Sequence, residues 1–108
     1  MSTESPRKRA YTTVVAPPEV DIASSNSLRT EIESAIAGNA WVIVDLSGLE
    51  FIDSTGLGTL LSCHHRADQY GGNLVLVGPN ERTRKLLRIT QLDAMLEIYP
   101  SAEDVPQP

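Results

Sequence analysis

The chain has 108 residues, 41% of them hydrophobic and 21% charged, enough for one packed domain without disulfide or metal staples. Its single cysteine, Cys63, excludes an internal disulfide and a cysteine-based metal cluster and fits a reducing compartment. The net charge of −5 argues against a nucleic-acid binder held by phosphate contacts, and no apolar run approaches the ~20 residues needed to cross a membrane, so a soluble, cytoplasmic protein is expected.

Residues 1–10 are polar, lack periodicity and read as a flexible tail rather than a signal peptide. Tyr11-Thr12-Thr13-Val14-Val15 is short and β-branched, a strand ended by Ala16-Pro17-Pro18. Leu28, Ile32, Ala35 and Ile36 then recur at helical spacing. Ser24 or Ser25 is placed to cap that helix, and Gly38 to take a left-handed turn at its end. Trp41 to Leu46 is nearly continuous apolar sequence, as in a strand covered on both faces.

A second helix is expected from near Ser54 to just before Gly71-Gly72, with Leu57, Leu60, Leu61 and His64 on its inner face. Asn73 to Val77 is a further buried strand. Asn80 is placed to cap a third helix that carries Leu86, Leu87 and Ile89 inward. Leu96 to Tyr99 is a last short strand, Ser101 a candidate cap of a terminal turn, and residues 106–108 a tail. Strand and helix alternate, so the fold class is α/β: one domain over residues 11–105, a mostly parallel sheet of four to five strands with right-handed crossovers.

Charge is unevenly spread. Between Glu19 and Asp53 stand seven acidic residues and one basic residue, Arg29. Seven of the nine basic residues lie in Arg7-Lys8-Arg9 and in Arg82, Arg84, Lys85 and Arg88. An acidic half that meets a basic partner is one reading, and a solvated face is the other.

The segment Asp53-Ser54-Thr55-Gly56-Leu57-Gly58 joins a buried strand to a helix start. A hydroxyl there meets free backbone N–H groups and the positive end of the helix dipole, which favour an added anion. Nucleophilic catalysis is disfavoured. A hydrolase elbow needs glycine two residues before the serine, where this chain has Ile52. The histidines are the pair His64-His65, ~15 Å along the helix from Ser54 and beyond proton-transfer reach. An aspartic-protease site fails for want of a second motif. Gly56 and Gly58, without a following lysine, make a weak phosphate loop. They read better as close backbone approach and as an unobstructed surface around Ser54. Cys63, His64 and His65 are adjacent on a helix and point ~100° apart, so they cannot chelate a metal together. No cofactor or metal is expected.

The stretch Asp45-Leu46-Ser47-Gly48-Leu49-Glu50-Phe51-Ile52-Asp53-Ser54-Thr55-Gly56-Leu57-Gly58 resembles the signature of STAS domains, specifically the bacterial anti-sigma factor antagonists. Pro18-Glu19-Val20-Asp21, Gly71 to Val77 and Leu86 to Leu92 extend the resemblance over about residues 11–105. It implies a non-enzymatic partner switch. Ser54 would be phosphorylated by an anti-sigma factor that is also a serine kinase, and a serine phosphatase would reset it. The unmodified form would bind the kinase and free a sigma factor. Asp21, Asp53, Ser54, Thr55, Gly56, Leu57 and Gly58 would form the docking surface, with neither nucleic acid nor membrane as a direct partner. The alternative within the family is a non-switching module, a scaffold of a sensory complex or a transporter subunit. The chain departs from the family pattern at Pro18 and Gln91, where glycine is usual. A left-handed Gln91 would cost up to ~1 kcal/mol. The N-terminus is short for the family's opening strand pair unless residues 2–9 supply a strand.

Overall fold

The computed structural model describes residues 10–108. The expectations for the N-terminal tail and for a strand within residues 2–9 fall outside the described residues. Four parallel strands, β1 (Thr12–Val15), β3 (Trp41–Asp45), β5 (Asn73–Val77) and β6 (Glu97–Tyr99), form the main sheet in that spatial order. The helices are α1 (Ser25–Gly38), α2 (Ser54–Gln69) and α3 (Glu81–Ile89). A pair of two-residue strands, β2 (Glu19–Val20) and β4 (Phe51–Ile52), makes a separate parallel ladder.

Strand alternation sorts the core into two layers. Val42, Val44, Leu74 and Leu76 face the helices and pack with Leu28, Ile32, Ile36, Leu57, Leu60 and Leu87. Ile43, Val75 and Val77 face the other way and are covered by Val105, Tyr11 and Tyr99. The continuous apolar runs of β3 and β5 are thus explained, since both faces are covered. Fully burying each large side chain is worth ~1.5–3 kcal/mol, so the helix-side layer dominates stability.

Several local expectations are corrected. Gly38 is the last residue of α1 and is not left-handed; the chain leaves through extended Asn39 (φ −163°). Ser24 occupies the N-cap position of α1 without capping it, because its hydroxyl turns back toward Glu19 and Asp21. The buried stripe of α2 is Gly56, Leu57, Leu60, Cys63 and Ala67, while Leu61 and His64 are only half-buried at its flank. In α3 the inner face is Thr83 and Leu87. Ile89 lies two residues beyond Leu87, on the opposite side of the helix, and is 66% exposed.

The expected punctuation of the other two helices holds. Asn80 Oδ1 accepts the Thr83 N–H at 2.8 Å, and Asn80 Nδ2 donates to the Leu49 carbonyl, which ties α3 to the loop before β4. After α2, Gly71 is left-handed (φ +80°) and the Gly72 N–H reaches back to the Ala67 carbonyl at 2.9 Å, closing the helix. Gln91 is left-handed (φ 63°, ψ 17°), the conformation in which the usual glycine would cost least.

Candidate functional site

The β2–β4 ladder builds the site. Val20 pairs with Ile52, and the Asp53 N–H donates to the Val20 carbonyl at 3.2 Å. Asp21 and Asp53 therefore leave neighbouring parallel strands at one level, at the entrance to α2. The Pro18 carbonyl accepts both the Glu50 and Phe51 N–H groups, at 2.7 and 3.0 Å. Proline lacks an N–H but keeps this acceptor, so its presence in place of glycine costs the ladder nothing here.

Asp53, not Ser54, caps α2. Its Oδ1 accepts the Gly56 N–H at 3.0 Å, and its carbonyl accepts the Leu57 N–H. Ser54 is consequently the first helical residue, exposed, and its hydroxyl makes no hydrogen bond to a described residue. It stands where the unpaired N–H groups and helix dipole favour an anion. Thr55 beside it is also exposed.

The two glycines divide their roles. A Cβ on Gly56 would lie 2.6 Å from the Val20 carbonyl oxygen and from Ile52 Cγ1. The first turn of α2 thus rests directly on the end of the ladder. Gly58 has nothing within 4 Å of a Cβ position and is exposed, one turn along from Ser54. Gly56 and Leu57, expected in the docking surface, are buried and support it from beneath. The exposed members are Ser54, Thr55 and Gly58, with Asp21 and Asp53 partly exposed.

Asp21 heads a tight turn. Its Oδ1 accepts from the Ala23 and Ser24 N–H groups, each at 3.0 Å, and lies 3.0 Å from the Ser24 hydroxyl. That hydroxyl, followed by the two N–H groups, holds the Asp21 carboxyl below its ordinary pKa. The turn displays Ile22 at 76% exposure beside the site. The sequence left Ile22 unremarked; the signal available was an apolar residue outside any periodic stripe, directly after Asp21.

The remaining candidates are dispersed. His64 Nδ1 lies 3.3 Å from the Leu74 carbonyl, an engagement with β5 rather than with Ser54. Among the described residues no group of three or more His, Cys, Asp or Glu is arranged to hold a metal, and no helix is long and apolar enough to cross a membrane. Cys63 is fully buried, and burial pushes its thiol up to about 11. Arg29 on α1 donates to Ser62 Oγ at 3.0 Å and to Thr59 Oγ1 at 3.4 Å, fastening α1 to α2.

A serine presented at a helix start beside two acidic turns, on a parallel sheet with helices packed on one face, agrees with the family match: residues 5–105 fit the model of the STAS domain. The chain belongs to the STAS-domain family. Among similar proteins, the anti-sigma-B factor antagonist of Bacillus subtilis is 29% identical over 85 residues, covering 79% of this chain and 78% of that protein. A Thermotoga neapolitana protein, provisionally named an anti-sigma factor antagonist, is 36% identical over 63 residues, 58% of this chain. The match spans only 56% of that relative's length. The crystal structure of an anti-sigma factor antagonist from Mycobacterium paratuberculosis superposes with a TM-score of 0.76 at 27% identity, covering 85% of this chain and 79% of that one.

Proposed function

We propose that this chain is a cytoplasmic anti-sigma factor antagonist switched by phosphorylation of Ser54. The unmodified form binds an anti-sigma factor that is also a serine kinase and so releases a sigma factor. Phosphorylated Ser54 blocks that binding until a serine phosphatase removes the phosphate. The domain supplies a surface and no catalysis. The observation that carries the reading is the state of Ser54: exposed, first in α2 and without a hydrogen bond from its hydroxyl to any described residue, with capping left to Asp53.

The physical case is one of local tolerance and distant exclusion. A phosphate adds a charge of about −1.5 to −2 at pH 7. At the start of α2 the helix accepts that charge. Toward a docked partner it adds to the acidic turns headed by Asp21 and Asp53 and demands desolvation. The local fold survives while the docking surface is lost. In this reading Asp21 and Asp53 orient the loop and contact the kinase, and Thr55 and Gly58 complete the exposed face.

Calorimetric titration of the anti-sigma factor against two variants tests this. Ser54→Asp is expected to bind at least tenfold more weakly than Ser54→Ala, with both variants folded. Equal affinities would overturn the electrostatic switch and favour the non-switching scaffold or transporter module.

A further inference from the structure

A second surface lies on the other flank of β4. A groove of about 300 Å³ runs between Glu50–Ile52 on one side and α3 on the other, where Arg82, Lys85, Leu86 and Ile89 line it. Its walls are apolar, and two of them are open to solvent: Phe51 is 50% exposed and Ile89 66%. Exposed large apolar side chains set together, unlike single ones, mark an interaction surface.

Two further features define what fits. The first is charge. The chain is acidic overall, yet α3 carries Arg82, Arg84, Lys85 and Arg88 against one acid, Glu81. Among the described residues neither Arg82 nor Lys85 is in a salt bridge. Both stand on the groove, where Glu50 is the one acidic residue among the described residues that line it. The second is backbone. The Phe51 and Asp53 N–H groups point to β2, through the Pro18 and Val20 carbonyls. Alternation along a strand then turns the Ile52 N–H and carbonyl away from β2. In the two-stranded ladder β2–β4, that flank of β4 has no strand beside it among the described residues.

The geometry points to this groove as a docking site for an extended, acidic segment of a protein partner. The segment adds to the free edge of β4, places a large apolar side chain between Phe51 and Ile89, and sets its carboxylates against Arg82 and Lys85. Main-chain pairing supplies affinity and the alternate side chains supply selectivity. Ser54 is not among the residues that line this surface.

The full chain, labelled with 15N, is titrated with the peptide acetyl-Asp-Leu-Asp-Phe-Glu-amide and with a counterpart carrying lysine at each acidic position. The acidic peptide is expected to shift amides within 50–52 and 81–89, that of Ile52 foremost, and to bind at least tenfold more tightly than the lysine peptide. The double variant Arg82→Glu/Lys85→Glu and the single variant Ile89→Ser should each lose tenfold or more; both alter exposed positions. Equal binding of the two peptides, or shifts elsewhere, overturns the proposal. So does co-sedimentation with phosphatidylglycerol vesicles in place of peptide binding, which would assign the face to a lipid surface. Concentration-dependent dimerisation abolished by Ile89→Ser would assign it instead to a second copy of the chain.

Discussion

Replacing Gly56 by alanine places a methyl group 2.6 Å from the Val20 carbonyl oxygen and Ile52 Cγ1 and 2.8 Å from Val20 Cγ1. A backbone oxygen cannot swing aside as a flexible side-chain tip can, so α2 or the ladder must move. Overpacking of this kind costs ~1–3 kcal/mol, and the better helix propensity of alanine returns at most ~1 kcal/mol. A net loss of about 1–2 kcal/mol is expected, and at ~4–8 °C per kcal/mol for a domain of this size, a clearly lowered Tm. Gly58→Ala is the matched control. It lies two residues on in the same helix with nothing within 4 Å, so only propensity acts, for a gain of ~0.5–1 kcal/mol. Urea unfolding of the three proteins gives the midpoints and slopes needed. If Gly56→Ala proves as stable as Gly58→Ala, the close seating of α2 on the β2–β4 ladder is wrong. The stabilised Gly58→Ala should nonetheless bind the anti-sigma factor less well, because its methyl group projects from the exposed face one turn from Ser54.

The remaining predictions concern single groups. Cys63, buried and with its thiol pushed up to about 11, should resist iodoacetamide at pH 8 in the native protein and react fully in urea; rapid native alkylation would contradict its burial. Gln91→Gly should stabilise the domain by at most ~0.5 kcal/mol, the relief of left-handed strain less the added chain entropy; a lowered urea midpoint would show that the Gln91 side chain matters more than its backbone. Asp21 has its native pKa lowered by Ser24 and Ala23. Its contribution to stability is therefore present above the unfolded carboxylate value and is lost as pH falls through the native one. Wild type should lose more stability than Asp21→Asn on acidification below about pH 4, and parallel pH profiles would exclude this role.

The main sheet was legible because β3 and β5 are apolar on both faces, a pattern few other environments produce. The position of the α2 start was legible too, since the segment from Asp53 to Gly58 stands between a buried strand and an amphipathic run. The β2–β4 ladder was not, because Glu19-Val20 and Phe51-Ile52 are too short to carry a period. Their pairing depends on Pro18 and Val20 carbonyls that no sequence pattern marks. The cap of α1 was misjudged for a related reason. Ser24 has the right chemistry at the right place, but Asp21 and Glu19 hold its hydroxyl in the preceding turn. Ile89 was assigned inward on apolarity alone, whereas helical phase turns it outward and makes it a wall of the α3 groove.

The brevity of the β2–β4 ladder bears on access. An enzyme acting on a side chain at the very start of a helix must draw that residue into its own cleft, away from the surface that carries it. Here the loop is fastened by a two-residue pairing, the Asp53 cap and the contact of Gly56 with Val20. Val20 and Ile52 of the ladder reach into the helix-side core, but most of the strand residues that build it belong to the other sheet. Peeling residues 50–55 outward thus costs a sub-global opening rather than the stability of the whole domain. Amides of β2 and β4 should exchange with solvent far ahead of those in β3 and β5, so the loop can be bent to another active site and spring back unaided.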